Sequence, residues 1–202
     1  NLTTYFILGP TAIGKSNLAI NFAQKVNAHI INADSMQVYK NLEILTARPN
    51  KSDLNKVEHH LYGHIDGSER YNVARWCGEV SKIINKCAKK NINSIVVGGT
   101  GMYIDKLING IVDIPEIPED YKQESEKEII KVGIKKFCNI ISRFDNDSLS
   151  KINKNDSKRL KRIWEVYMYT KIPFSKWIQN KAKIFFDKKD YFTYLFLPER
   201  KK

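Results

Sequence analysis

The sequence of 202 residues has few cysteines and no long apolar segment, and both shortages limit what the protein can be. Its three cysteines, Cys77, Cys87 and Cys138, are scattered and lack Cys-x-x-Cys spacing, so we expect free thiols in a reducing, cytoplasmic compartment. The apolar runs are only a few residues long, too short for a helix that spans a bilayer. The first residues lack the charged start and apolar stretch of a signal peptide, so we expect none.

Acidic residues are scarce relative to basic ones, and the formal net charge is +12. The basic excess is densest over residues 151–189, with 12 basic residues against 3 acidic ones. Such a surface indicates a polyanionic partner, for example a nucleic acid. Because 27 of the 34 basic residues are lysines in a chain rich in Asn and Ile, compositional drift is the alternative explanation.

The clearest motif that is present follows an apolar run at residues 5–8. Residues 9–16 fill every fixed position of the pattern Gly-x-x-x-x-Gly-Lys-Ser/Thr, and a helix-compatible stretch follows. Glycines in such a loop permit backbone angles closed to other residues, so that N–H groups converge on phosphate at the positive end of the helix. Lys15 adds a positive charge, and Ser16 offers a hydroxyl to a metal ion. We therefore predict a diphosphate or triphosphate site, with a chance glycine turn as the alternative. Its residues are Gly9, Pro10, Thr11, Ala12, Ile13, Gly14, Lys15 and Ser16.

The order of predicted elements indicates an α/β fold with a P-loop NTPase-like parallel sheet and right-handed crossovers. A second strand at residues 29–33 leads into Asp34, and a third at 94–97 ends in a glycine-rich loop. Between them lies an amphipathic helix over residues 72–90, with Asn72 as its cap and two cysteines on its apolar stripe. Because parallel strands end at one edge of a sheet, we expect Asp34 beside the phosphate loop.

The third strand lacks the terminal Asp that supports Mg²⁺ in most P-loop NTPases. Asp34 is the only carboxylate that follows a predicted strand directly, and it comes early in the chain. This pattern favours an enzyme that uses a diphosphate for a purpose other than ATP hydrolysis. A small-molecule kinase on the same scaffold is the alternative.

Three of the four histidines fall within residues 58–64. Metal binding is one interpretation, but the spacing fits no common zinc pattern. We therefore favour polar contacts or packing for these histidines.

The composition and pattern of the sequence change after residue 113. We predict a P-loop core over residues 1–113, a helical insertion over 114–185, and a strand that returns to the core within 186–202. The clearest helix of the insertion begins at Asn155 as cap and ends near Tyr169. Its basic side is either a solvated face or a nucleic-acid contact, and charge alone favours neither.

Together these motifs resemble the tRNA dimethylallyltransferase (tRNA isopentenyltransferase) family over nearly the whole chain. Besides the phosphate loop, the resemblance is carried by residues 32–39, 46–49, 59–61, 98–103, 155–159 and 165–167. It implies transfer of a dimethylallyl group from dimethylallyl diphosphate to N6 of the adenosine 3′-adjacent to the anticodon in tRNA, with Mg²⁺. The implied protein recognises the anticodon stem-loop of tRNA. We expect it to be a monomer and to have no membrane partner.

The resemblance also implies roles for single residues. Asp34 matches the general base that accepts a proton from the attacking amine, and Thr100 matches a contact to the substrate nucleotide. Lys15, Arg48 and a metal ion at Ser16 would neutralise the leaving diphosphate. A helix cap is the alternative for Asp34, and both roles can hold. The implied tRNA-binding set is Asp34, Ser35, Met36, Gln37, Thr100, Lys122, Lys158, Arg159, Leu160, Lys161 and Arg162.

Two departures from the family pattern qualify these expectations. Lys122 stands where the family usually has Arg, which keeps the charge but loses the forked donor geometry. The family also continues well past Leu197, so we expect a fragment or a truncated product. A homologue that binds diphosphate or tRNA with little or no catalysis is therefore one alternative. Prenylation of free adenine nucleotides is another.

Overall fold

A computed structural model of the chain describes residues 2–10, 13–42, 48–99, 101–186 and 191–196. It divides into two compact units, one of residues Asn1–Ile111 with Ile184–Lys202 and one of residues Val112–Lys183. The first unit is α/β and the second is helical. No helix within the described residues is long and apolar enough to cross a membrane.

The first unit contains a five-stranded sheet in which every pairing is parallel, as the sequence predicts. The spatial order of the strands is β3-β2-β4-β1-β5. At the carboxyl edge, Leu8 lies opposite both Gly98 and Leu195, and Asn32 lies opposite Val97. The strands are β1 Thr4–Leu8, β2 Ala28–Asn32, β3 His59–His60, β4 Asn93–Gly98 and β5 Tyr191–Leu195.

Helices cover both faces of this sheet, which explains the consecutive apolar residues in the middle of its central strands. Phe6 and Ile7 are neighbours on β1, yet they belong to two separate buried clusters because successive side chains point to opposite faces. Trp76 joins the first cluster and Ala19 the second. The helices of this unit are α1 Lys15–Val26, α2 Lys51–Leu54, α3 Val73–Lys89 and α4 Gly101–Asn109, with a 3₁₀ turn at Lys40–Leu42.

Helix α3 confirms the amphipathic pattern predicted for residues 72–90. The side chain of Asn72 accepts a hydrogen bond from the backbone N–H of Arg75 at 2.9 Å, which satisfies one N–H at the start of the helix. The predicted cysteines, Cys77 and Cys87, are both buried.

The strand predicted near the end of the sequence is confirmed as β5, which lies at one edge of the sheet beside β1. Phe192, Tyr194 and Leu195 are largely exposed. Tyr5 of β1 stacks on Phe192 with their ring centroids 6.1 Å apart.

The second unit packs its helices around a core that includes Phe137, Ile141, Leu160 and Trp164. It has three long helices instead of the several short ones that the sequence suggested. The cap of α7 is Asp156 and not the predicted Asn155, because the Asp156 carboxylate accepts from the N–H of Arg159 at 3.1 Å. The helices are α5 Glu119–Val132, α6 Ile134–Ser150, α7 Ser157–Thr170 and α8 Phe174–Trp177.

Helix α6 is interrupted at Asp145, whose backbone is not helical (φ −150°, ψ 66°). The buried Asp145 carboxylate accepts from the N–H of Ser148 at 3.1 Å and from the N–H of Ser175 at 3.0 Å. One side chain therefore caps the helical turn after the interruption and also holds the start of α8.

Candidate active site

Strands β1, β2 and β4 bring their following loops together at one edge of the sheet. The N–H of Ala33 donates to the carbonyl of Val97 at 2.7 Å, so the β2 and β4 tips stay paired beyond the strand. A Cβ on Gly98 would lie 2.4 Å from the Ala33 carbonyl group, and one on Gly99 would lie 3.5 Å from the carbonyl oxygen of Gly9. Glycine at 98 thus permits the close approach of the two segments.

The phosphate loop has the backbone that its glycines were predicted to allow. Gly14 lies in the left-handed region (φ 82°) and precedes α1, which has neither a side-chain cap nor an acidic residue in its first turn. At Gly9, a Cβ would lie 2.6 Å from the carbonyl oxygen of Phe196. Within the described part of the loop, no side-chain cap occupies the start of α1, where the positive end of the helix dipole suits an anion. Pro10 and Ser16 are exposed, while Thr11 and Ala12 lie outside the described residues.

Lys15 folds back over this loop, and its Nζ donates to the carbonyl oxygen of Pro10. Burial lowers the pKa of Lys15, and the Asp34 carboxylate acts in the opposite direction. The two side chains therefore interact electrostatically across the β1 and β2 tips, as expected from the sequence.

Asp34 is half-buried, and its carboxylate organises the turn that follows β2. Its Oδ1 accepts from the N–H of Met36 at 2.8 Å and, more weakly, from that of Gln37 at 3.4 Å. The cap proposed as the alternative role for Asp34 is thus present. This cap is compatible with the general-base role, because it uses Oδ1 and a carboxylate has a second oxygen.

Asn32 fixes the backbone on which Asp34 stands, a role that the sequence reading did not assign. Its Nδ2 donates to the carbonyls of Asp34 and Leu61, both at 3.0 Å, and its Oδ1 accepts from the N–H of Asp34 at 2.9 Å. The buried Trp76 donates from Nε1 to the Asn32 carbonyl at 2.8 Å. The only sequence signal was the presence of Asn32 in the motif at residues 32–39.

Tyr62 follows Leu61 on the same loop and lies near the Asp34 carboxylate. Burial raises the pKa of Tyr62, and the nearby Asp34 charge raises it further. Tyr62 therefore stays a neutral phenol that can donate a hydrogen bond near Asp34.

Arg48 is held by the segments that follow β2 and β3. Its Nη2 donates to the Lys40 carbonyl at 3.3 Å, and its guanidinium occupies the space that a side chain at position 63 would need, with Nη1 only 1.5 Å from a Cβ built on Gly63. Gly63 in turn donates its N–H to the Gln37 carbonyl at 2.9 Å. The structure therefore places Arg48 next to the 34–37 turn through Gly63. Thr100 lies outside the described residues.

Among the predicted tRNA-binding residues of the second unit, Lys158 and Arg159 are exposed, and Lys122, Lys161 and Arg162 are half-buried. Lys122 pairs with Glu119 and Arg159 with Asp156, at 3.1 and 3.3 Å, and Lys161 pairs with Glu126. Burial lowers the pKa of Arg162, with Glu165 acting in the opposite direction. Lys158 is exposed on α7.

Leu160 is the exception in the tRNA-binding set. Its side chain is 0% exposed within the core of the second unit, so the prediction that it contacts tRNA is wrong for that side chain. The physical reason is the helical period, which turns Leu160 to the apolar side of α7 together with Ile163 and Trp164.

Comparison with known proteins gives two matching family models. One, described as IPP transferase, covers residues 37–202, and the other, isopentenyl transferase, covers residues 2–64. The tRNA dimethylallyltransferase of Pelagibacter ubique (strain HTCC1062) is 44% identical over 185 residues, 92% of this chain and 59% of that protein. That of Rhizobium meliloti (strain 1021) is 34% identical over 99% of this chain and 66% of its own length. The chain thus spans less than two thirds of these curated relatives.

Solved structures give the same result for the fold. A crystal structure of a eukaryotic dimethylallyltransferase acting on tRNA has a TM-score of 0.79 and 29% identity, over 96% of this chain and 48% of that one. The tRNA isopentenylpyrophosphate transferase of Bacillus halodurans has a TM-score of 0.54 and 30% identity, over 86% and 58%. These likenesses confirm the predicted P-loop NTPase-like α/β fold.

Proposed function

The chain belongs to the IPP transferase family, and from this premise we propose that it transfers a dimethylallyl group from dimethylallyl diphosphate to N6 of the adenosine 3′-adjacent to the anticodon in tRNA. The observation that carries the proposal is the meeting of a phosphate loop and a half-buried carboxylate, Asp34, at one edge of the sheet. The phosphate loop suits the diphosphate leaving group of the reaction, and the Asp34 carboxylate suits the attacking amine.

The phosphate loop would bind the diphosphate of the donor. Backbone N–H groups at the start of α1 face the anion, and the Lys15 ammonium would exchange the Pro10 carbonyl for a phosphate oxygen. The exposed Ser16 hydroxyl, one residue further along, is an oxygen ligand of the kind that Mg²⁺ prefers. When bound, the magnesium ion supplies positive charge that stabilises the leaving diphosphate.

Asp34 would serve the acceptor side of the reaction. All its side-chain hydrogen bonds to described residues use Oδ1, so Oδ2 is the atom that we assign to proton removal. The C1–O bond of the donor breaks, a bond from C1 to N6 forms, and the displaced N6 proton passes to Oδ2 while diphosphate leaves. The adenine has to leave its stack to reach a carboxylate in such a pocket.

The basic residues of the second unit would bind the tRNA backbone. The ion pairs of Lys122, Arg159 and Lys161 are on the surface, and pairs of this kind contribute little to stability. Phosphates can therefore replace their carboxylate partners at small cost. Lys158 and Arg162 add two further charges on the same helix.

The proposal is tested by incubating the chain with dimethylallyl diphosphate, Mg²⁺ and an anticodon stem-loop. We expect Asp34→Asn to lower the transfer rate at least about a hundredfold, because general-base catalysis contributes about 10²–10⁴. Asn can still cap the 34–37 turn, so the fold should persist. The matched control is Asp53→Asn, because the Asp53 carboxylate pairs with Lys56 and has no assigned part in the reaction.

Three other outcomes would contradict the proposal. Unchanged transfer by Asp34→Asn would remove the base role from Asp34. Donor binding without any transfer by the unaltered chain would favour the binding-only alternative. Faster prenylation of free AMP than of the stem-loop would identify a free adenine nucleotide as the acceptor.

A further inference from the structure

A second cluster of reactive side chains lies in the first unit, away from the phosphate loop. It consists of His29 on β2, His60 on β3 and Cys87 near the end of α3, whose ligand atoms all lie within 4.8 Å of one another. His29 is three residues before Asn32, about 10 Å back along the strand from the edge that carries Asp34. The cluster is therefore separate from the proposed active site.

The fold itself brings these residues together. His60 pairs with Ile31 in the sheet, and His29, two residues before Ile31, points to the same face. Ile31 packs in one buried cluster with Trp76, Cys77 and Val80 of α3, so this is the face that α3 covers. Cys87 reaches the two histidines from the end of that helix.

Two of the three distances between the ligand atoms are close to those around a tetrahedral zinc ion, and the third is at most 4.8 Å. His29 Nδ1 lies 3.0 Å from His60 Nε2, and Cys87 Sγ lies 3.6 Å from His29 Nδ1. Zn–N bonds of about 2.0–2.1 Å and Zn–S bonds of about 2.3 Å give edges of about 3.3 Å between nitrogens and about 3.6 Å between nitrogen and sulfur. Moving His29 Nδ1 and His60 Nε2 apart by a few tenths of an ångström would bring their distance to the tetrahedral value.

A fourth ligand is at hand in Glu58. Its Oε1 lies 3.5 Å from His60 Nε2, and its Oε2 lies 3.3 Å from His29 Nε2. The Glu58 side chain is 60% exposed and can rotate toward the metal position, whereas the histidine side chains are 16% and 20% exposed and Cys87 is 3% exposed. The site would thus be closed on the protein side and open to an entering ion at Glu58.

Metal binding would release one proton to solvent. The thiolate is the form of cysteine that ligates a metal, so an incoming cation would displace the Cys87 thiol proton, while each imidazole binds in its neutral form. No oxidation or reduction is involved.

We propose that His29, His60 and Cys87 form a zinc site, with Glu58 as the fourth ligand. Two imidazoles, one thiolate and one carboxylate are a ligand set that suits Zn²⁺. The ion would cross-link β2, β3 and the end of α3. The competing explanation is a metal-free hydrogen-bonded cluster that only packs these elements together.

Titration of the full 202-residue chain with Co²⁺ under reducing conditions separates the two explanations. We expect one Co²⁺ per chain, with the visible bands of a tetrahedral ion and a sulfur-to-cobalt charge-transfer band. Cys87→Ser should abolish the charge-transfer band, while Cys77→Ser and Cys138→Ser, the two other buried cysteines, should keep it. Absence of the band, or a band that survives in Cys87→Ser, would overturn the proposal.

The histidines allow an equally matched pair of variants. His60→Gln should weaken Zn²⁺ binding at least about tenfold, the size of effect expected even for a residue outside the ligand set. His59→Gln is the control, because the His59 ring contacts the Val57 carbonyl at 2.8 Å and lies outside the cluster. Equal affinities of the two variants would overturn the assignment of His60.

X-ray absorption at the zinc edge requires no variant and so does not depend on how well a substituted chain folds. The zinc-loaded chain should show one sulfur and two or three nitrogen or oxygen neighbours at the distances given above. A shell without sulfur would overturn the proposal. Neither result depends on prenyl transfer, so the zinc site and the proposed function succeed or fail independently.

Discussion

At the scale of single residues, the candidate active site is organised by hydrogen bonds of Asn32 as well as of Asp34. Asn32 is fully buried and connects three segments: its own strand, the Asp34 turn and the loop at Leu61. The sequence predicted Asp34 because a carboxylate after a strand has an evident use. It did not predict the role of Asn32, because the partners Leu61 and Trp76 are 29 and 44 residues away.

Replacing Asn32 by Asp tests this connection, since the new side chain has the same shape but no N–H. Two carbonyls would lose their donor and face an oxygen instead. We expect the free energy of unfolding to fall by about 1–3 kcal/mol, the usual effect of leaving a buried polar group unsatisfied. Urea unfolding measures it, with Asn139→Asp on the exposed side of α6 as the control. Equal stabilities of the two variants would show that the Asn32 amide is not needed.

The proposed zinc cluster also could not be predicted from the sequence, because its residues are far apart along the chain. For the three histidines in residues 58–64 the sequence favoured polar contacts or packing, and His59 and His64 make such contacts with the Val57 carbonyl and with Glu79. The cluster instead takes His60 from that segment and combines it with His29 and Cys87, which are far away in sequence. Only the pairing of β2 with β3 and the packing of α3 bring them together.

At the scale of helices and strands, the sequence was most informative where one local pattern dominates. The bounds of α3 lie within one residue of the predicted ones, because its apolar periodicity is unbroken. Strand β3 was not predicted, since two residues carry no detectable alternation. The interruption of α6 was not predicted either, because Asp145 interrupts the helix through contacts with Ser148 and with the distant Ser175.

Asp145 makes the stability of the second unit dependent on pH. Burial would raise the pKa of Asp145, but hydrogen bonds from Ser175 and Ser148 outweigh it and hold the pKa below its usual value. Because its pKa is lower in the folded state, the ionised Asp145 carboxylate stabilises the fold at pH values above its unfolded-state pKa. This stabilisation is lost as the pH falls below about 4.

Asp145→Asn should therefore lower the free energy of unfolding by about 1–3 kcal/mol at neutral pH, since Asn has a single acceptor for the two N–H groups. The difference from the unaltered chain should shrink in acid. Urea unfolding at several pH values checks this, with the exposed neighbour Asp147→Asn as the control. A deficit that does not vary with pH would mean that the charge of Asp145 is unimportant.

At the scale of the whole molecule, charge is the property that the sequence gives most directly, and +12 is large for 202 residues. The sequence could not say which basic side chains are accessible. The structure separates Lys158, which is exposed, from Arg162, which is half-buried, and excludes the side chain of Leu160.

Binding of the anticodon stem-loop should therefore weaken steeply with salt. Each lysine that neutralises a phosphate contributes about 0.7–0.9 to the slope of log affinity against log salt. We expect Lys158→Ala and Lys161→Ala each to reduce the slope by about that amount. Lys25→Ala, an exposed lysine at the end of α1, should leave it unchanged. Filter binding at several salt concentrations measures the slopes, and identical slopes for all three variants would remove α7 from the proposed tRNA surface.

The place of β5 at the end of the strand order has a consequence for the local dynamics of the sheet. Amide protons of β4, which lies between β2 and β1 under helices on both faces, are released to solvent only by large-scale opening. Those of β5 lie on an exposed, aromatic edge strand that is joined to β1 alone within the described sheet. Deuterium uptake should therefore be faster in β5 than in β4, and equal uptake in the two strands would contradict this expectation.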